Sequence, residues 1–81
     1  MILNVQLFAR ARDLAGTNRL AVALADGATV ADLRSALAAT QPRLAPILDQ
    51  SAIAVNSDFA GAQQRLNPND DIALLPPVSG G

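Results

Sequence analysis

The chain has 81 residues, with six arginines against seven aspartates for a net charge of -1, and it contains neither cysteine nor histidine. That composition excludes a disulfide framework, a Cys/His zinc site and a Cys-His or Ser-His nucleophile pair. The lack of a basic stripe argues against nucleic acid as a partner, and no apolar run approaches the roughly 20 residues of a membrane span.

A chain this long suits one domain that buries little more than about 60% of its unfolded surface. Its hydrophobic share is 51%, but the only aromatics are Phe8 and Phe59, so leucine, valine and isoleucine must supply the core. The start lacks a basic region followed by an apolar stretch, so no signal peptide is expected and the expected compartment is the cytoplasm.

Residues Ile2 to Ala9 read as a strand, with Leu3, Val5 and Leu7 on an apolar face and Asn4, Gln6 and Phe8 on the other. A short helical turn from Arg10 to Ala15 follows, and Gly16 is its natural C-terminal cap because glycine tolerates positive φ. Arg19 to Leu24 reads as a second strand carrying Leu20, Val22 and Leu24 on one face, broken by Asp26-Gly27. Thr29 then caps a helix from Val30 to Ala39, its side chain placed to accept from the backbone of Asp32. Val30, Leu33 and Leu37 share one helical face, widened by Ala36, and Pro42 ends the element.

A short turn around Leu44 to Leu48 is expected to be interrupted by Pro46. Ala52 to Val55 is the third strand, Asn56-Ser57-Asp58 a turn, and Phe59 to Leu66 a short edge strand followed by a loop. Asn67 to Asp70 is dense in turn formers, which makes Asp70 a turn residue rather than half of a catalytic pair with Asp71. Ile72 to Leu75 is the last strand, stopped by Pro76-Pro77 because proline cannot donate to a sheet ladder. Strand, strand, helix and then further strands make an α+β arrangement, a mixed sheet packed against one main helix. The expected fold is the β-grasp, or ubiquitin-like, fold, with residues 1–76 as the domain and 77–81 as an extended tail.

The tail, Pro76-Pro77-Val78-Ser79-Gly80-Gly81, carries the most chemistry. Its prolines favour an extended conformation and keep it from folding back. Residues 77–81 can reach about 17 Å at roughly 3.3–3.6 Å per residue. The final glycines have no side chains, so the tail can thread a narrow channel and deliver a terminal carboxylate. A terminal Gly-Gly alone is weak, since it arises by chance in about one chain in 200.

Together with two further motifs, this tail resembles the small, sulfur-carrying subunits of molybdopterin synthase over nearly the whole length. Residues Phe8-Ala9-Arg10-Ala11-Arg12-Asp13-Leu14-Ala15-Gly16 are similar to the family's Phe-Ala-x-x-Arg-Glu-Leu-x-Gly stretch, with Asp13 in place of glutamate. Leu66-Asn67-Pro68-Asn69-Asp70-Asp71-Ile72-Ala73 resembles a Leu-x-x-Gly-Asp-Glu-Val-Ala pattern, with Asn69 where glycine is common. The terminal Pro-Pro-Val-Ser-Gly-Gly separates this family from the thiamine sulfur carriers and from ubiquitin.

The resemblance implies a mechanism. A ubiquitin-activating-like adenylyltransferase would adenylate Gly81 at the expense of ATP, and a sulfur donor would replace the adenylate and leave a thiocarboxylate. The tail would then enter the large synthase subunit and give its sulfur to a cyclic pyranopterin precursor, two transfers building the dithiolene. The catalytic residues would belong to the large subunit, in a heterotetramer of two large and two small subunits, and the small subunit would hold no cofactor or metal of its own. Phe8, Phe59 and Leu75, off the core face or beside the tail exit, would dock that subunit. Arg10, Arg12 and Arg65 read as solvated charge. The alternatives are a sulfur carrier for thiamine or cysteine synthesis, a ubiquitin-like modifier of protein lysines, or an interaction module with an inert tail.

Overall fold

The computed structural model describes residues 1–77. Five strands form one mixed sheet: β1 (Ile2–Leu7), β2 (Arg19–Ala23), β3 (Ala52–Val55), β4 (Asp58–Phe59) and β5 (Ile72–Leu75), in the order β2-β1-β5-β3-β4. β1 and β5 run parallel at the centre, and the other neighbours are antiparallel. The helices are α1 (Ala9–Ala15), α2 (Val30–Thr40) and the short α3 (Ala45–Leu48), which continues a 3-10 turn over Pro42–Leu44. This is the expected β-grasp: α2 lies in the crossover from the edge strand β2 and covers one face of the sheet.

Leu3, Val5 and Leu7 of β1, Ile53 and Val55 of β3, and Ile72 and Leu74 of β5 are all buried toward α2, which returns Val30, Leu33 and Leu37. Each such side chain taken out of water contributes about 1.5–3 kcal/mol. Leu44, Ile47 and Leu48 from the α3 region and Leu66 from the loop before β5 are buried in the same cluster.

α2 starts where its caps dictate. Thr29 Oγ1 accepts from Asp32 N at 3.3 Å while Asp32 Oδ2 accepts from Thr29 N at 2.9 Å, a reciprocal capping box. The next free donors are met by the loop after β4, since Val30 N donates to Gln64 O and Ala31 N to Ala62 O. Arg34, from the middle of α2, donates to Leu48 O at 2.8 Å and to Ser51 O at 2.7 Å, satisfying carbonyls around the end of α3.

Several boundaries differ from the sequence expectation. β1 stops at Leu7, because Phe8 caps α1 and Ala9 already turns with φ 50°. β2 stops at Ala23, and Leu24 N instead reaches Met1 O at 2.8 Å. Pro46 does not interrupt its turn. It stands in the first turn of α3, where a helix needs no amide donor from it. The edge strand β4 begins at Asp58, one residue earlier than expected. The turn before it places both Asn56 and Ser57 at positive φ, 53° and 73°, the geometry of a tight hairpin. Asp70 is the turn residue it was expected to be: its carboxylate accepts from Asn67 N at 2.8 Å and from Asn56 Nδ2 at 2.9 Å, tying the β3–β4 turn to the entry of β5.

Candidate functional site

The register of the sheet decides what lies on the face away from α2. Gln6 pairs with Ala73, Ala73 with Ala54, and Ala54 with Phe59, so these four make one row from β1 to β4. The next row holds Leu75 opposite Ala52, and the step after Leu7↔Leu74 brings Phe8 beside Leu75. Alternation along each strand puts all of them on the outer face. Phe8 is 43% exposed and Phe59 78%, while Leu75 is half-buried.

The three residues expected to dock a partner therefore share one face. Phe8 and Phe59 stand three strands and one row apart, about 14 Å across and about 7 Å along the sheet. Between them the floor is alanine: Ala52, Ala54 and Ala73. Two aromatic walls over a floor of methyl groups make a trough. On the Phe8 side of this face a groove of ≈ 170 Å³ runs past Ala73 and Ala54 to Ser57 and Asp71, and Phe59 stands outside its lining.

Ile2 was missed as a member of this face, although the alternation that exposes Phe8 exposes it as well. It is 66% exposed, at the far end of β1 from Phe8 and separated from it by Asn4 and Gln6. The alanine floor had no signal of its own, because alanine is equally at home in a core, and only the register assigns it outward.

The tail leaves from the Phe8 end of the trough. Pro76, half-buried, and Pro77, exposed, follow Leu75 directly and end the β1–β5–β3 ladders. The expected tail residues Val78, Ser79 and Gly80, and Gly81, expected to be the reactive one, lie outside the described residues. On the side of the stem away from the trough is a second groove, of ≈ 570 Å³, bounded by Pro76 and Pro77, by Pro46, Ile47 and Gln50, and by Arg10 of α1.

Polar groups border the trough on one side, where Gln6, Ser57 and Asp71 line the same groove as Phe8, Ala54 and Ala73. Among the described residues no three His, Cys, Asp or Glu side chains come together where they could hold a metal ion. The one ion pair among them joins the Met1 amino group to Asp26 at 3.6 Å, beside β2 and far along β1 from Phe8. No described helix is long and apolar enough to cross a membrane.

Comparison with known proteins matches residues 5–81 to the ThiS family. The molybdopterin synthase sulfur carrier subunit of Escherichia coli K12 is 38% identical over 82 residues, covering 99% of this chain and 100% of that one. Among solved structures, SAMP1, the small archaeal modifier protein of Haloferax volcanii, superposes with a TM-score of 0.87 at 29% identity, covering 100% of both chains. A complex of subunits 1 and 2 of the molybdopterin-converting factor from Helicobacter pylori contains a chain that matches with a TM-score of 0.72 at 27% identity, again covering 100% of each. The chain belongs to the ThiS family and, within it, to the molybdopterin synthase sulfur carrier subunits.

Proposed function

We propose that this protein carries sulfur on the carboxylate of Gly81 and delivers it to a cyclic pyranopterin precursor inside a molybdopterin synthase. The observation that carries the reading is the full-length match to sulfur carrier subunits of that enzyme. The composition supports it independently. Without cysteine the chain cannot hold sulfur as a persulfide, and without cysteine or histidine it lacks the usual nucleophile-base pairs.

A carboxylate is a poor acyl electrophile. Attack of the Gly81 carboxylate on the α-phosphorus of ATP, within an adenylyltransferase, expels pyrophosphate and leaves an acyl adenylate. A sulfur nucleophile then displaces AMP and leaves a thiocarboxylate. The role of this chain is positional: Pro76-Pro77 stiffens the stem, and Val78 to Gly81 reach into the partner. The trough of Phe8, Leu75 and Phe59 docks the large subunit, as two copies of each in a heterotetramer, and that subunit supplies the catalytic side chains. The pairing of subunits 1 and 2 in the H. pylori complex supports a large-subunit partner.

Reconstitution tests this. The chain, the adenylyltransferase, ATP, a sulfur donor and the large subunit should convert the precursor to the dithiolene, one sulfur leaving each thiocarboxylate. Failure of the thiocarboxylated chain to transfer sulfur to the precursor would refute the reading.

A second reading has one observation behind it, the resemblance to SAMP1. The same activated carboxylate could acylate a lysine amine and make this chain a protein modifier. The chain has no lysine, so copies of it could not link to one another through side-chain isopeptide bonds. Peptide mapping of adducts formed in a lysate with ATP separates the two outcomes.

A further inference from the structure

The groove behind the tail stem has no part in the docking trough. The geometry points to a second contact there: a loop of the large synthase subunit that presents a carboxylate beside an aliphatic side chain, with Arg10 receiving the carboxylate. This rests on reading the chain as the sulfur-carrying partner of that subunit.

Shape is the first ground. Ile47, 4% exposed, offers an apolar floor, and Pro46, Pro76 and Pro77 line the groove with backbone of fixed φ. A cleft of ≈ 570 Å³ walled by prolines is already formed, so an occupant meets little ordering cost on this side. The aliphatic half of the occupant follows from that lining.

Charge is the second. Arg10 lines the groove and is exposed, yet among the described residues the single ion pair is that of the Met1 amino group with Asp26. Asp13, one helical turn along α1, makes no ion pair with it. An arginine fork beside an apolar cleft best fits a planar, bidentate acceptor, which in a protein loop is an aspartate or glutamate.

Position is the third. Pro76 and Pro77 are at once a wall of the groove and the stem of the tail. A protein that encloses residues 78–81 in a channel must bring its rim to these prolines, and the groove opens beside them. The trough and the groove would thus grip the stem from two sides.

Titration calorimetry of the full chain with the large subunit tests the proposal. Arg10→Glu should weaken binding by at least about tenfold, with Arg10→Lys in between, because a charge pair at an interface rim becomes a repulsion. Gln50→Trp, which fills the groove while leaving the residue at position 10 unchanged, should also weaken binding several-fold. Arg43→Glu makes the same charge change at an exposed position of the Pro42–Leu44 turn, outside the lining of the groove, and should stay within about twofold. Melting temperatures of all four should match the parent, since none of these side chains is buried. An acidic-to-arginine change in the large subunit that restores the affinity of Arg10→Glu would identify the partner residue. Equal affinity for Arg10→Glu and Arg43→Glu would overturn the charge recognition, and full affinity for Gln50→Trp would overturn the groove. If the parent chain itself neither binds the large subunit nor transfers sulfur, the carrier reading fails and this inference with it. Normal transfer with groove variants that bind like the parent overturns the inference alone.

Discussion

The two faces of the sheet are built from different residues for different ends. Toward α2 stand Leu3, Val5, Leu7, Ile53, Val55, Ile72 and Leu74, each 4% exposed or less. Away from it stand the chain's two aromatics and Ile2, exposed, with alanines between the strands' bulkier members. A domain of 81 residues with only two phenylalanines would gain most by burying both, since a fully buried ring is worth about 1.5–3 kcal/mol. It buries neither. Aromatic side chains left on a flat, alanine-floored surface are what a binding face requires, because they can be buried a second time, in a complex. The contrast teaches a division of labour that the proposed function builds on: aliphatics fold the chain, and the two aromatics stay exposed on the opposite face.

That division predicts two sets of variants with opposite consequences. The largest effect should come from deleting Gly81. Activation should be abolished, because the acyl group to be adenylated is no longer at its proper reach. The melting temperature should not change, because no core residue is involved. Adenylate formation assayed with ATP and the activating enzyme, beside a thermal melt, checks both halves, and persistent adenylation of the shortened chain would contradict the placement of the chemistry.

The converse variant lies on the inner face. Leu74 is fully buried between β1 and β3, so Leu74→Ala should cost about 2–5 kcal/mol, a large fraction of what so small a domain has. Whatever remains folded at low temperature should still be adenylated at Gly81. Urea denaturation measures the first and the activation assay the second. A fold as stable as the parent would mean that the core is not centred on β5.

On the outer face the expectation reverses again, at smaller scale. Phe59→Asp should weaken binding to the large subunit by about 2 kcal/mol or more, as at other aromatic anchors, while moving the melting temperature little, because the site is 78% exposed. Calorimetry and a melt decide it. A large drop in melting temperature with unchanged affinity would return Phe59 to a structural role.

Much of this plan was legible in the sequence. Period-2 alternation places Leu3, Val5 and Leu7 inward, and helical spacing does the same for Val30, Leu33 and Leu37, because both signals are local. The Thr29–Asp32 capping box and the left-handed Gly16, φ 75°, are likewise written in adjacent residues. What escaped depends on pairing between distant segments. The alanine floor exists only because Ala54 faces Ala73 and Phe59, and no pattern within β3 says so. The groove behind the stem joins α1, α3 and the residues after β5, three segments far apart in sequence. Pro46 misled because proline is a breaker inside a helix and a good starter at its first turn, and only the boundary distinguishes the two.

The smallest effect tests how the outer face is attached to the inner. Between Leu7, 2% exposed, and α1 the chain must turn so that Phe8 stays outside while Ala11 is buried. It does so by placing Ala9 at φ 50°, a left-handed conformation that costs a residue with a Cβ about 1–2 kcal/mol. Glycine would relieve that cost but adds about 0.5–1 kcal/mol of unfolded-state entropy to be lost on folding. Ala9→Gly should therefore change stability by no more than about 1 kcal/mol, toward greater stability. Ala9→Val, with a branched Cβ in the same conformation, should be less stable than either. Chemical denaturation of the three proteins gives the order of stability, and a valine variant as stable as the glycine one would show that the turn at Ala9 carries no strain.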